Sequence, residues 1–219
     1  MDHSFNCAPA IDMRRPRHFL FAMDTQPASA RMKFRNLPNL LTFARVAAVP
    51  VVVALLFWPE KDWARWAALA IFILAAVTDF FDGYLARMWS QQSTLGRMLD
   101  PIADKLLVAA CLLMLTAFGE IADLSILAAL IILLREILVS GLREFLAELR
   151  VSVPVTTVAK WKTSLQLVAI GFLIAGPAGE KVLPGTHAIG IALLWIAALL
   201  TLYTGWDYMK ASIKHVPDD

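Results

Sequence analysis

Charge is scarce in this chain. Asp, Glu, Lys and Arg make up 17% of its 219 residues, against about 25% in an average soluble domain. Hydrophobic residues make up 59%, and the mean hydropathy is +0.64. That balance excludes an ordinary soluble domain and points to one polytopic membrane domain. There are two cysteines. Cys7 sits in a polar N-terminal stretch and Cys111 in an apolar run, which argues against a disulfide framework. No internal repeat is evident. The net charge of +2 says little about partners, and no nucleic-acid partner is expected.

Residues 1–30 differ in character from the rest. They hold Pro9, Pro16 and Pro27, scattered basic residues and one short apolar patch at Phe19–Met23, too short to span a bilayer. The patch is also thin for a signal peptide, and Met23 or Met32 can equally be the start of translation. The segment reads as a mobile cytoplasmic extension, with the membrane domain over residues 31–215.

Six apolar runs follow: Leu40–Trp58, Trp63–Met88, Leu99–Phe118, Ile121–Leu146, Val158–Gly176 and Ala188–Met209. Each is near the ~20 residues that a spanning helix needs. Basic residues gather before the first run (Arg31, Lys33, Arg35), between the second and third (Arg87, Arg97), between the fourth and fifth (Arg143, Arg150, Lys160, Lys162) and after the sixth (Lys210, Lys214). The other loops hold few. The positive-inside rule then puts both termini in the cytoplasm. Residues 31–38 form a short basic amphipathic stretch suited to an anionic inner leaflet. The expected fold is therefore an all-α integral membrane protein: six transmembrane helices with a short N-terminal juxtamembrane amphipathic helix.

Against this background four acidic residues stand out. Asp79, Asp82, Asp100 and Asp104 lie in or at the ends of apolar runs. Each costs roughly 2.5–3.5 kcal/mol at the centre of a membrane helix. At 100° per residue, Asp79, Asp82, Gly83, Ala86 and Arg87 share an arc of about 140°, with Phe81, Tyr84, Leu85 and Met88 opposite. Asp100 and Asp104 are one turn apart, and Gly96 lies one turn earlier. Two helices thus present two carboxylates each, with small residues clearing space between them. A divalent cation is the simplest compensation for clustered carboxylates. Oxygen donors without His or Cys select Mg²⁺ or Mn²⁺, and four carboxylates have room for two ions. Mg²⁺ is commonly shared with substrate phosphates, so a phosphate-bearing substrate follows. Blander readings exist: Asp100 before Pro101 can be a helix N-cap, and Asp79 and Asp82 can pair with Arg87 or Arg97.

The spacing Asp79-x2-Asp82-Gly83-x2-Ala86-Arg87-x8-Gly96-x3-Asp100-x3-Asp104 resembles the signature of the CDP-alcohol phosphatidyltransferases, with eight positions over 26 residues. Further segments are similar to the branch that uses sn-glycerol 3-phosphate as acceptor. They are Asn36–Arg45, Asp100–Val108, Arg135-Glu136 with Gly141-Leu-Arg143, and Lys160-Trp-Lys162-Thr163. The resemblance covers roughly residues 34–210. It implies a six-helix membrane enzyme that moves the phosphatidyl group of CDP-diacylglycerol to an alcohol and releases CMP. It implies that Asp79, Asp82 and Asp100 hold the metals and that Asp104, beside them, is the general base. Asp79, Gly83, Ala86, Arg87 and Gly96 would line the CDP-diacylglycerol site. Dimers are common in the family, so a homodimer is expected. A bacterial inner membrane, with the active site facing the cytoplasm, is the expected location.

The basic residues suit a phosphorylated acceptor. Arg135 lies deep in the fourth run and needs an anion, and Arg143 follows two turns later, about 80° around the helix. Lys160 and Lys162 open the fifth run at the same level. All four are candidates for glycerol-phosphate binding. Arg135 can instead pair with Glu136 or Glu144. Lys105, next to Asp104, can simply balance charge. Asn39 and Thr42 can hydrogen-bond the nucleotide or cap the first helix. Another acceptor such as inositol phosphate or serine stays open within the family, and outside it a divalent-cation transporter.

Overall fold

The computed structural model describes residues 37–89, 94–148 and 157–213. Within its helices, the side chains at 37–40, 79–89, 94–98, 100–101, 148, 157–160, 207 and 211–213 lie outside the described residues. Six α-helices carry the chain: α1 (Leu37–Leu56), α2 (Asp62–Trp89), α3 (Thr94–Ala117), α4 (Ser125–Glu148), α5 (Thr157–Glu180) and α6 (Thr186–Ile213). No strand occurs among the described residues. The expected juxtamembrane helix falls on residues mostly outside them.

The helices pack through small side chains. Ala64, Ala68 and Ala75 of α2, Ala128 and Ala129 of α4, Ala169, Ala175 and Ala178 of α5 and Ala197 and Ala198 of α6 are all buried. Small residues let helix axes approach closely where no water drives association. The large apolar side chains point outward instead: Leu74, Leu113, Leu134, Ile137, Leu138, Ile196 and Leu199 are exposed. Aromatic residues collect at the ends, with Phe57, Trp58, Trp63 and Trp66 at one and Trp161, Tyr203 and Trp206 at the other. A Leu/Ile exterior between aromatic girdles is the surface of a membrane protein. By length and composition two helices can cross a membrane, over Ser125–Ala147 and Thr186–Lys210. α2 and α3 carry the aspartates within their apolar sequences.

The end near the α1–α2 turn is tied by polar groups. α3 stops at a Schellman motif: Glu120 N–H donates to Leu115 O at 2.9 Å and Gly119 N–H to Thr116 O at 3.2 Å, with Gly119 at φ +78°. Glu120 therefore emerges beside Arg65 of α2, which is 3% exposed. Arg65 donates from Nη2 to Glu120 Oε1 at 2.5 Å, from Nε to Pro59 O at 2.6 Å and from Nη1 to Ile174 O at 3.3 Å. That last carbonyl is available because α5 kinks at Gly176 (φ 40°, ψ −125°), just before Pro177. Any side chain at 176 would run into the Arg65 guanidinium and the Glu120 carboxylate. Glu180 then accepts from the N–H groups of Gly185 and His187, both at 2.8 Å, and so caps α6. Those bonds hold its carboxyl below the ordinary value of 4.5.

Two readings need correction. α3 begins at Thr94, so Asp100 and Pro101 lie inside the helix and Asp100 is not its N-cap. Hydropathy placed the start at Leu99 because Thr94–Met98 are too polar to extend an apolar run. α1 begins at Leu37, which puts Thr42 a turn and a half inside and removes its capping role.

Candidate functional site

α2 and α3 both pack against α1. The buried stripe of α1 is Thr42, Arg45, Val52 and Leu56, at helical spacing. Arg45 is 2% exposed. It sits within an apolar helix whose neighbours α2 and α3 carry the four aspartates, and a buried guanidinium needs such anions. Sequence reasoning quoted Arg45 only as part of a motif. Its position inside the first apolar run is the same signal that singled out Arg135.

α2 runs as one helix through Trp89, so its backbone keeps Asp79, Asp82, Gly83, Ala86 and Arg87 on a common arc. Asp100 and Asp104 likewise share α3 with Gly96. The side chains of Asp79, Asp82, Arg87 and Asp100, the surroundings of Gly83, Ala86 and Gly96, and the side chains of Asn39 and Lys160 lie outside the described residues.

Asp104 is described. It is half-buried and lines a cavity of about 320 Å³ between α3, α4 and α5. The same cavity is bordered by Lys105, Glu136, Ser140, Thr163 and Gln166. Lys162 of α5, only 2% exposed, donates to Glu136 Oε1 of α4. Arg135 Nη1 lies 3.7 Å from the same oxygen. Lys162 thus feels the charges of Glu136, Arg135 and Asp104 together. One carboxylate gathers two cations beside the carboxylate of α3. Gln166, one turn beyond Lys162 and 2% exposed, reaches the cavity with its Oε1 unpartnered among the described residues. A glutamine inside the fifth apolar run was the signal that could have found it.

Arg135 and Arg143 face α6 rather than the cavity lined by Asp104. Arg135 Nη2 donates to Thr204 Oγ1 at 3.2 Å, and its buried Nε has no partner among the described residues. Arg143 is exposed and stacks over the Tyr208 ring at 5.8 Å. The alternative pairing of Arg135 with Glu136 exists only as the loose contact at 3.7 Å. The arrangement is a carboxylate able to take a proton beside a small, largely apolar cavity, with cations able to hold an anion on the adjoining faces of α4 and α5.

Comparison with known proteins agrees with this chemistry. Residues 35–203 match the model of the CDP-alcohol phosphatidyltransferase family, and the chain belongs to that family. It is similar to a Rickettsia bellii protein named CDP-diacylglycerol–glycerol-3-phosphate 3-phosphatidyltransferase, 49% identical over 180 residues, 82% of this chain and 97% of that protein. A protein of the same name from Cereibacter sphaeroides is 41% identical over 217 residues, 84% of this chain and 98% of its own. Another, from Shigella flexneri, is 42% identical over 179 residues, 81% and 94%.

Proposed function

We propose that the protein is a membrane phosphatidyltransferase that joins the phosphatidyl group of CDP-diacylglycerol to sn-glycerol 3-phosphate and releases CMP. This is a step of phospholipid biosynthesis. The observation that carries the reading is that Asp104 and Glu136 line one small cavity while Glu136 gathers Lys162 and Arg135 beside it. The relatives' shared name supports the acceptor. In this reading all six helices span a bacterial inner membrane, with both termini and the site on the cytoplasmic side. Residues 31–215 form the domain, residues 1–30 are a mobile extension, and the protein works as a homodimer.

The donor set fits Mg²⁺ or Mn²⁺, because Asp79, Asp82, Asp100 and Asp104 offer only hard carboxylate oxygens from two continuous helices. Ions held there, two by the carboxylate count, supply charge neutralisation for the pyrophosphate. Every other part falls to the chain itself. Gly83, Ala86, Arg87 and Gly96, with Asn39 and Thr42 of α1, border the nucleotide. Arg135 and Arg143, with Lys160 and Lys162, attract the phosphate of glycerol 3-phosphate. Asp104 accepts the proton of the C1 hydroxyl. The hydroxyl oxygen forms a bond to the β-phosphorus, the bond from that phosphorus to CMP breaks, and CMP leaves with its electron pair. The acceptor is the nucleophile, so no covalent enzyme intermediate forms.

An apolar groove of about 720 Å³ runs along the α2–α5 contact, bordered by Val77, Leu167, Gly171, Phe172 and Ala175. In this reading the groove seats a lipid acyl chain; Val77 lies about 160° around α2 from Asp79.

The test is CMP release by purified protein in mixed micelles of CDP-diacylglycerol with Mg²⁺ or Mn²⁺. Glycerol 3-phosphate, inositol phosphate, serine and free glycerol are offered separately. Release with glycerol 3-phosphate alone, lowered about 10³-fold in Asp104→Asn, is expected. Release only with another acceptor would keep the family and replace the substrate. Absence of release with every acceptor and metal, together with metal uptake into proteoliposomes, would move the protein to the transporter class.

A further inference from the structure

α6 carries a stripe of hydroxyl groups near its C-terminal end. Thr201, Thr204 and Tyr208 fall on the same face. The Thr204 hydroxyl is buried, at 6% exposure, and its one proton is used within the helix, on Leu200 O at 2.9 Å. Toward Arg135 it can therefore only accept, and Arg135 Nη2 donates to it at 3.2 Å. The stem of Arg135 lies flat against α6, since a Cβ at Gly205 would stand 3.0 Å from Arg135 Cγ. One turn after Thr204, the Tyr208 ring carries the guanidinium of Arg143 at 5.8 Å. One helix thus holds both arginines of α4.

The contact fixes Arg135 without saturating it. Nη2 is engaged, whereas the buried Nε has no partner among the described residues. That Nε packs against Gly205, whereas Nη1, only 3.7 Å from Glu136 Oε1, is the donor left for a second, anionic partner. Arg135 has also given up much of its rotamer freedom before that partner arrives.

We infer that Thr204 and Tyr208 are positioning residues of the acceptor site, holding Arg135 and Arg143 in the setting that receives the phosphate of the acceptor. The inference rests on the phosphatidyltransferase reading above. It assigns the end of α6, which that reading leaves without a role, to recognition of a phosphomonoester. Neither side chain touches the reacting atoms; each acts through an arginine.

Thr204→Val keeps the shape and removes the accepting oxygen. Its KM for glycerol 3-phosphate should rise about tenfold, the scale of one hydrogen bond to a charged group. kcat should stay within about twofold, since the phosphate is held equally before and during the reaction. The KM for CDP-diacylglycerol should not move, and Thr204→Ser should restore the wild-type KM. Tyr208→Phe should be within about twofold of wild type, whereas Tyr208→Leu should raise the acceptor KM about threefold. If Thr204→Val prevents folding, Thr204→Ala is measured in its place. An acceptor KM unchanged in the hydroxyl-free variant overturns the inference. So does an equal rise in both KM values, or a failure of Thr204→Ser to restore. A wild-type protein that does not use glycerol 3-phosphate sinks the underlying reading. An active wild type with an indifferent Thr204→Val sinks only this inference.

Discussion

Arg65 and Arg135 each sit within an apolar helix, and the fold treats them in opposite ways. Every nitrogen of Arg65 is engaged, by Glu120, Pro59 O and Ile174 O. Arg135 is tied at one nitrogen to Thr204, lies loosely by Glu136 and keeps a buried Nε unmet among the described residues. The first guanidinium is complete within the protein, so it serves to hold α2, α5 and the α3–α4 turn together. The second is incomplete, which suits the acceptor-binding role proposed for it.

The sharpest way to break this contrast is to remove each arginine and read both stability and kinetics. Arg65→Ala leaves the half-buried Glu120 carboxylate with only His187 at 3.9 Å, and should cost about 3 kcal/mol. Thermal unfolding in detergent should report that loss, while the folded fraction keeps its acceptor KM. Arg135→Ala should do the reverse. Its acceptor KM should rise about 100-fold, equivalent to about 2.7 kcal/mol, with little change in Tm. Equal effects of both substitutions on Tm would dissolve the distinction.

Gly176→Ala tests the kink that supplies a carbonyl to Arg65. The positive φ and the crowding against Arg65 and Glu120 should cost about 1–3 kcal/mol, again in Tm rather than in KM. The Glu180 cap adds a pH dependence at the same end. Its carboxyl is held below 4.5 by bonds from His187 and Gly185. The stabilisation it gives is therefore fully present above 4.5 and is lost as pH falls through the lower, folded value. The Tm of the wild type should drop more steeply below pH 4.5 than that of Glu180→Gln. The smallest effect belongs to the exposed Lys181–Asp62 pair at 2.5 Å. Lys181→Ala should change stability by about 0.5 kcal/mol or less, and less still at high salt.

Much of the fold was legible because long apolar runs broken by turn residues depend on residue type alone. The six apolar runs fall on α1–α6, with the ends displaced where polar residues continue a helix, as at Thr94–Met98. Arg135 announced itself because a charge inside an apolar run demands a partner, and Arg45 and Gln166 carried the same signal. Thr204 did not. A threonine in a membrane helix satisfies itself on its own backbone, as Thr204 does on Leu200 O, so composition gives no reason to single it out.

By itself the sequence determined that the chain is helical and apolar, where its carboxylates repeat along α2 and α3, and to which family it belongs. Those properties depend on residue type and helical period, which are local. Only the tertiary structure decided that Lys162 pairs with Glu136, that Asp104 shares a cavity with Glu136, and that both arginines of α4 lean on α6. Those facts depend on which helix lies beside which, and the periodicity of a single helix carries no record of its neighbours.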